Sequence, residues 1–411
     1  MRRRAVITGL GPITCIGRDK DAFWNGVLAE KSGINRISTF DTSDFHAQCG
    51  GEIRDWNPEE FFPPHRLKRL DRYAQFAVAS AKMALDDAGL NYSREQPQHR
   101  VGVSFGTALG GVCQAEDQHV RFLKKGTRGV NPTLALQVFG GSAHSNIAIE
   151  FGFRGVGTTN SNSCASGTVS VGEALRYIRD GLADVVVAGG AEAPLGTLTF
   201  GAFDIIKTMS RWEGEPHLSC RPFDRLRDGF VMGEGAASLI VEDYEHAHSR
   251  GARIYAELLG YSLNNDAFHM TSPLPTGESC IRAMHEALDD AALEAADIDY
   301  INAHASSTQL NDATETLSIK QVFGSGTRIP VSGTKGYYAH PLGATGAIEA
   351  TLTALALHHQ WIPPTINHSN SDPGCDLDIV PNHGRAANLI YAMSNSFGFG
   401  GINACVILGK L

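Results

Sequence analysis

Cys164 sits in the run Ser161-Asn162-Ser163-Cys164-Ala165-Ser166-Gly167-Thr168, small polar residues suited to opening a helix. A cysteine at a helix N-terminus faces unpaired backbone N–H groups and the positive end of the macrodipole, which favour thiolate over thiol. Each unit of such a shift is worth about 1.4 kcal/mol. The alternative reading is a small buried hydrophobe. Two of the sixteen histidines stand out beside it. His304 follows an apolar strand, 299–303, and the C-terminal ends of strands are where α/β folds build sites. His340 opens the glycine-rich start of another helix, where an imidazole is biased toward its neutral form and can donate one hydrogen bond without becoming a cation. Taken singly, each histidine reads more readily as structural. Lys335, in Ser332-Gly333-Thr334-Lys335-Gly336, lies between them. Near the C-terminus, Ser394-Asn395-Ser396-Phe397-Gly398-Phe399-Gly400-Gly401 joins two strands through glycines. Such a loop can bring a backbone N–H to a ligand as an oxyanion donor, or can simply be a turn with two packed aromatics.

The elements that must position these groups alternate. Strand-like runs at 101–105, 184–188, 236–241, 300–303, 329–332, 390–394 and 404–408 are separated by helical periods such as 73–88, 281–292 and 347–358. The pattern predicts a layered α/β fold with buried sheets. Two segments look alike. After Cys164, apolar Val171, Ala174, Leu175 and Ile178 recur at helical spacing, and the helix ends at Gly181 before a strand. After His340, a helix with Ile348, Leu352, Leu355 and Ala356 is apolar nearly all round, hence buried. Either two small-residue helices coincide, or an internal duplication brings two helix N-termini to one site.

Composition narrows the class. The chain has 411 residues, 42% of them hydrophobic and 19% charged, and contains 45 glycines. Wholesale disorder, collagen-like repeats and a disulfide-stapled miniprotein are excluded, and no apolar run approaches the ~20 residues of a membrane span. Met1-Arg2-Arg3-Arg4 leads into a short strand and a Gly/Pro turn rather than a signal peptide, so a cytoplasmic location is expected. The eight cysteines include no C-x-x-C pair and no zinc spacing. The net charge of −9 disfavours nucleic acid, and any acidic partner needs a local basic patch. The densest is His65-Arg66-Leu67-Lys68-Arg69, which Lys124, Lys125 and Lys207 could extend. Gly102-Val103-Ser104-Phe105-Gly106 satisfies the hydrolase nucleophile-elbow pattern, but a glycine loop follows it where that motif needs a helix.

In order along the chain, the sequence resembles the elongating, type II β-ketoacyl-acyl-carrier-protein synthases of the thiolase superfamily. The resemblance rests on Val6–Gly11, the Cys164 segment, Gly189-Gly190-Ala191-Glu192, Arg221-Pro222-Phe223-Asp224-Arg225, Arg227 through Gly235, Asn302-Ala303-His304, Gly333-Thr334-Lys335, His340 with its helix, and Asn395 through Gly401. It implies a duplicated five-layer αβαβα fold. The expected halves are 1–250, carrying the nucleophile, and 251–411, carrying both histidines. It also implies a dimer, either of identical chains or with a related chain-length subunit. Cys164 resembles the nucleophile that accepts an acyl chain as a thioester, and His304 and His340 the pair serving malonyl decarboxylation and condensation. Phe399 matches a backbone oxyanion donor, and Lys335 and Glu349 a supporting charged shell. Ser306 and Thr308 match contacts to the phosphopantetheine arm. Leu109, Phe139, Phe203 and Phe399, with Phe397 beside them, match or neighbour positions that shape the acyl tunnel. Arg66, Lys68, Arg69, Lys124, Lys125 and Lys207 are expected to dock an acidic acyl carrier protein. No cofactor is expected on the enzyme, since 4'-phosphopantetheine arrives on the carrier, and no metal is expected among the catalytic groups. Asn302, Glu349, Ser394 and Asn395 nevertheless resemble a monovalent-cation site.

The expected reaction is decarboxylative Claisen condensation with malonyl-acyl-carrier protein in fatty-acid elongation. The alternative is the ketosynthase subunit of a type II polyketide or polyene synthase. A non-catalytic chain-length subunit would lack Cys164, and a degradative thiolase would place a second cysteine as base, for which Cys405 is poorly sited in a strand. The chain departs from the family at Asn162-Ser163, at Ala305-Ser306-Ser307 and at Tyr337-Tyr338-Ala339, all of which bear on the substrate rather than on a catalytic group.

Overall fold

A computed structural model describes residues 2–411. Its main sheet has ten strands, five from each half of the chain. The first five are β1 (Ala5–Ile13), β2 (Val101–Gly106), β3 (Gly157–Asn160), β4 (Val185–Glu192) and β5 (Gly235–Asp243). The second five are β6 (Ala256–Asn265), β7 (Tyr300–Asn302), β8 (Val331–Ser332), β9 (Tyr391–Gly398) and β10 (Ile402–Gly409). The spatial order is β3-β2-β4-β5-β1 in one half and β8-β7-β9-β10-β6 in the other, the same order when each half is numbered from its own start. The directions repeat too. In each half the outer three strands are parallel and the inner pairings antiparallel. Within the sheet the halves join where Ala5–Ile7 pairs with Ala256–Leu258. The duplication suggested by two similar helices is thus present in the whole topology.

Helices complete five layers. Helix α1 (Arg72–Asp87) covers the outside of β1 and β5, and α3 (Glu278–Ala291) covers β6 and β10, with α4 (Gln309–Phe323) packed on α3. Between the two five-stranded halves of this sheet lie α2 (Ser166–Arg179) and α5 (Thr345–His359). An internal layer touches apolar surface on both sides. Accordingly every residue of α5 from Thr345 to Leu357 is buried, which is why its sequence lacks a polar face. Close approach of the layers depends on missing side chains. A Cβ on Gly9 would lie 2.1 Å from the Ala84 carbonyl oxygen, so glycine there lets α1 sit directly on β1.

The sequence places most of these elements within a few residues. It does not show β3, whose Gly-Thr-Thr-Asn lacks apolar alternation, the longer β6, or the helices Val112–Lys125 and α4. In Val112–Lys125 the one buried residue is the polar Gln118, while Val120, Phe122 and Leu123 are exposed, so hydrophobic periodicity has no core to report. Among the described residues no helix is long and apolar enough to cross a membrane.

Candidate active site

The two central helices start head to head. A tight turn, Ser163–Ala165, leads into α2, and an equivalent turn, Leu342–Ala344, leads into α5. Glycines make this contact possible: a Cβ on Gly167 would lie 2.5 Å from the Ala347 nitrogen, and one on Gly346 would lie 2.0 Å from Thr168 Oγ1. Cys164 occupies the middle of the first turn with 8% of its surface exposed. Burial pushes its thiol up to about 11, although the Phe399 backbone N–H and the Lys335 charge pull the other way. The helix-end expectation of a resting thiolate is therefore corrected: desolvation outweighs the favourable end of α2, and the free thiol is protonated at neutral pH.

Both histidines meet this sulfur. Cys164 Sγ and a ring nitrogen from each of His304 and His340 all lie within 4.8 Å of one another. The two rings stand 5.4 Å apart, centroid to centroid, at 77°. His304 follows β7, and its backbone N–H and that of Ala305 donate to Glu315, each at 2.8 Å. Lys335 Nζ donates to the His304 carbonyl oxygen, pairs with Glu349 and lies 3.5 Å from His304 Nδ1. A lysine can only donate, so Nδ1 accepts and the ring proton belongs on Nε2. On the other ring, His340 Nδ1 lies 2.8 Å from Thr345 Oγ1. Burial and the Lys335 charge hold both imidazoles well below the ordinary histidine range, so both are neutral. A Cys-His-His set is also a zinc-ligand type, but zinc-bound histidines normally give their second nitrogen to a carboxylate or carbonyl. Here a lysine stands behind His304, where its charge opposes a dication.

These groups form the floor of a cavity of about 350 Å³. Leu109, Phe203, Ser306, Thr308, Phe397 and Phe399 line it, and Lys207 stands exposed at its edge. The Phe203 and Phe399 rings stack at 6.3 Å. Gly398 lies against the backbone nitrogens of Cys164 and Ala165, so the C-terminal glycine loop and the nucleophile turn share one wall. A neutral pair of N–H donors, a sulfur and a backbone N–H around one apolar pocket suit acyl transfer through a thioester and stabilisation of an enolate.

The comparisons agree with this geometry. Residues 2–247 match the family described as beta-ketoacyl synthase, N-terminal domain, and residues 255–369 match its C-terminal domain. The 3-oxoacyl-acyl-carrier-protein synthase 2 of Staphylococcus aureus (strain COL) is 40% identical over 409 residues, which cover 99% of this chain and 98% of the relative. The chain belongs to the β-ketoacyl synthase family. As a member it is an acyltransferase that forms carbon–carbon bonds. Among solved structures, the ishigamide ketosynthase/chain length factor matches with a TM-score of 0.94 and 37% identity, each chain covered fully. The ketosynthase complex of a type II polyketide acyl-carrier protein, bound to the hexaketide, matches with a TM-score of 0.92 and 34% identity, again with full coverage of both chains.

Family membership does not bring every expected residue to the cavity. Phe139 does not line it: the residue follows the short helix Leu134–Val138, is 46% exposed, and its carbonyl accepts from Tyr73. In the basic stretch helical structure covers only Pro64–Leu67, so Lys68 and Arg69 lie just past the helix end. Arg66 is tied to Glu150 at 2.7 Å, whereas Lys68, Arg69, Lys124 and Lys125 are exposed. Ser104 is fully buried within β2, unlike an elbow nucleophile. Cys405 is buried within β10, away from the cavity lining.

Behind Lys335, Asn302 and Ser394 are partners on adjacent strands, and Asn302 Nδ2 donates to the Glu349 carbonyl. Glu349 Oε2, Ser394 Oγ and Asn395 Oδ1 are buried oxygens without a hydrogen-bond partner, a donor set that suits a hard cation. Sequence reasoning assigned no role to Glu315, Thr345 or Glu192. Each acts through contacts with residues distant in the chain or through a backbone turn, so no motif marks it.

Proposed function

We propose that the chain catalyses decarboxylative Claisen condensation between an acyl group carried on Cys164 and a malonyl thioester of acyl carrier protein, in fatty-acid elongation. The observation that carries this reading is the meeting of one sulfur and two neutral imidazoles at the floor of an apolar cavity. The nucleophile comes from residues 1–250 and both histidines from 251–411, so the two halves work as one catalytic unit.

The reaction balances with these groups. In the first step Cys164 sulfur adds to the carbonyl of the incoming acyl thioester. The thiol proton passes to the departing phosphopantetheine sulfur, as the buried, protonated Cys164 requires. The Cys164 and Phe399 backbone N–H groups receive the oxyanion. In the second step the malonyl carboxylate leaves as CO₂, and the electron pair remains as an enolate on the thioester. With Thr345 donating to His340 Nδ1, both imidazoles present Nε2–H to that enolate oxygen, and neither becomes a cation. The enolate carbon then bonds to the acyl carbon, and the C–S bond to Cys164 breaks with its electron pair going to sulfur. The resulting thiolate takes a proton from solvent water that enters as the product leaves. Lys335, paired with Glu349, holds the His304 ring in the required tautomer. Glu349, Asn302, Ser394 and Asn395 would hold a monovalent cation, whose charge would offset burial of the Glu349 carboxylate.

Ser306 and Thr308, hydrogen-bonded to each other at 2.9 Å on the cavity wall, would contact the phosphopantetheine arm. Lys68, Arg69, Lys124, Lys125 and Lys207 offer the local positive charge that an acidic carrier needs on a chain of net charge −9. The exposed edge of β3 suits pairing with a second chain in a dimer working in the cytoplasm. A second reading, the ketosynthase subunit of a polyketide or polyene system, is favoured by the likeness to the ishigamide ketosynthase/chain length factor.

Intact-mass analysis tests the core of the proposal. Wild-type protein incubated with acyl-carrier protein should gain one acyl group, and Cys164→Ala should gain none. An adduct on the variant would mean that the nucleophile is misassigned. Native mass spectrometry of the assembly separates the two pathways: two identical chains support elongation, and a partner lacking the cysteine supports polyketide assembly.

A further inference from the structure

Glu192 ends β4 with no exposed surface and no cationic partner among its contacts, yet both carboxylate oxygens are filled. Oε1 accepts from Thr107 Oγ1 at 3.0 Å and from the Leu109 N–H at 3.1 Å. Oε2 accepts from the Ala108 N–H at 2.6 Å and from the Gly343 N–H at 3.0 Å. Three of these donors belong to the Thr107–Leu109 loop of the first half, and the fourth to the Leu342–Ala344 turn of the second. Ala108, Leu109 and Leu342 all line the cavity beside Cys164 and pack with Phe203 and Phe230 in one apolar cluster.

We infer that Glu192 is a positioning residue that sets acyl-chain preference, by clipping the two segments that form the apolar wall of the cavity. The wall has no covalent continuity, because its parts come from opposite halves of the chain. One carboxylate can accept from both segments at once because it has two acceptor oxygens and no donor. A glutamine in its place turns an N–H toward one pair of donors, and that side of the clip opens. The apolar wall then widens or shifts, while His304 and His340 keep their own hydrogen bonds, none of which involves Glu192, and the lost Glu192 charge acts on the Cys164 thiol equally for every acyl donor. The inference rests on the proposed function, since it requires an acyl chain on Cys164.

The test compares wild-type protein, Glu192→Gln and the milder Thr107→Val, which removes one of the four donors. Single-turnover acylation of Cys164 is followed by intact mass with acetyl, hexanoyl and decanoyl pantetheine. Glu192→Gln should slow decanoyl transfer about tenfold while acetyl transfer stays within about twofold, the selectivity expected when an apolar pocket loses its fit. Thr107→Val should shift the same ratio in the same direction by a smaller factor. It carries the test alone if Glu192→Gln does not fold. Slowing by one common factor for all three donors, or an unshifted ratio, overturns the inference while leaving the functional reading intact. Failure of the wild-type protein to take up any acyl group overturns the functional reading, and the inference with it.

Discussion

In the first half the turn Ser163–Ala165 leads into α2, and in the second the turn Leu342–Ala344 leads into α5. Both turns begin on a residue forced to positive φ, 50° at Ser163 and 37° at Leu342. Such strain is kept only where the surroundings over-determine it. The middle residue differs. In the first turn it is Cys164, which faces the cavity. In the second it is Gly343, whose N–H is held by Glu192 and where a Cβ would lie 2.3 Å from the Ala108 nitrogen. Duplication therefore copied a backbone device, a strained turn at a buried helix end, but only one copy kept room for a side chain. The second copy forms a wall of the cavity that Cys164 faces, and its imidazole comes from the chain leading into the turn.

That division of labour can be broken from either side. His304→Ala should lower malonyl decarboxylation by ~10²–10³, the usual loss for one donor to a developing oxyanion, with much less effect on acylation of Cys164. Equal loss in both steps, measured as CO₂ release and as intact mass, would contradict the separate roles of sulfur and imidazoles. Next in size, Gly343→Ala should lower unfolding free energy in urea by about 3 kcal/mol, as overpacking does. Cys164→Ala should cost no more than about 1 kcal/mol. Similar costs at the two positions would show that the turns are interchangeable after all.

The resting state of the sulfur sharpens the comparison further. Because burial pushes the Cys164 thiol up to about 11, the thiolate fraction grows as pH rises and is small at neutrality. Iodoacetamide labelling of Cys164 should accelerate about tenfold per pH unit through the neutral and mildly alkaline range. A flat profile would mean that the helix end outweighs desolvation. The smallest effect belongs to Thr345→Val, which removes the partner of His340 Nδ1. Decarboxylation should fall about fivefold, the worth of one hydrogen bond, and Thr345→Ser should restore it.

Legibility in the sequence followed the range of the signal. The helices around Val171–Ile178 and Ile348–Ala356 were readable because their periodicity is local, and the small residues at their starts hinted at the close contact that Gly167 and Gly346 make. Helix Val112–Lys125 was not, because its apolar residues face outward. Phe139 shows the limit of position matching: its aromatic character fits a tunnel, but its place in the fold is the surface. Arg66 shows the limit of counting charges, since Glu150, far along the chain, occupies its guanidinium.

By itself, the order of amino acids determined the alternating layers and the two buried helices, because helix periodicity and turn chemistry are properties of neighbouring residues, and its resemblance to a family singled out Cys164, His304 and His340. Only the tertiary structure decided that the sulfur is protonated at rest, that lysine and threonine orient the two imidazoles from behind, and that one carboxylate joins the cavity wall across both halves. Those outcomes depend on desolvation and on hydrogen bonds between segments up to 151 residues apart, and such contacts exist only once the chain has closed on itself.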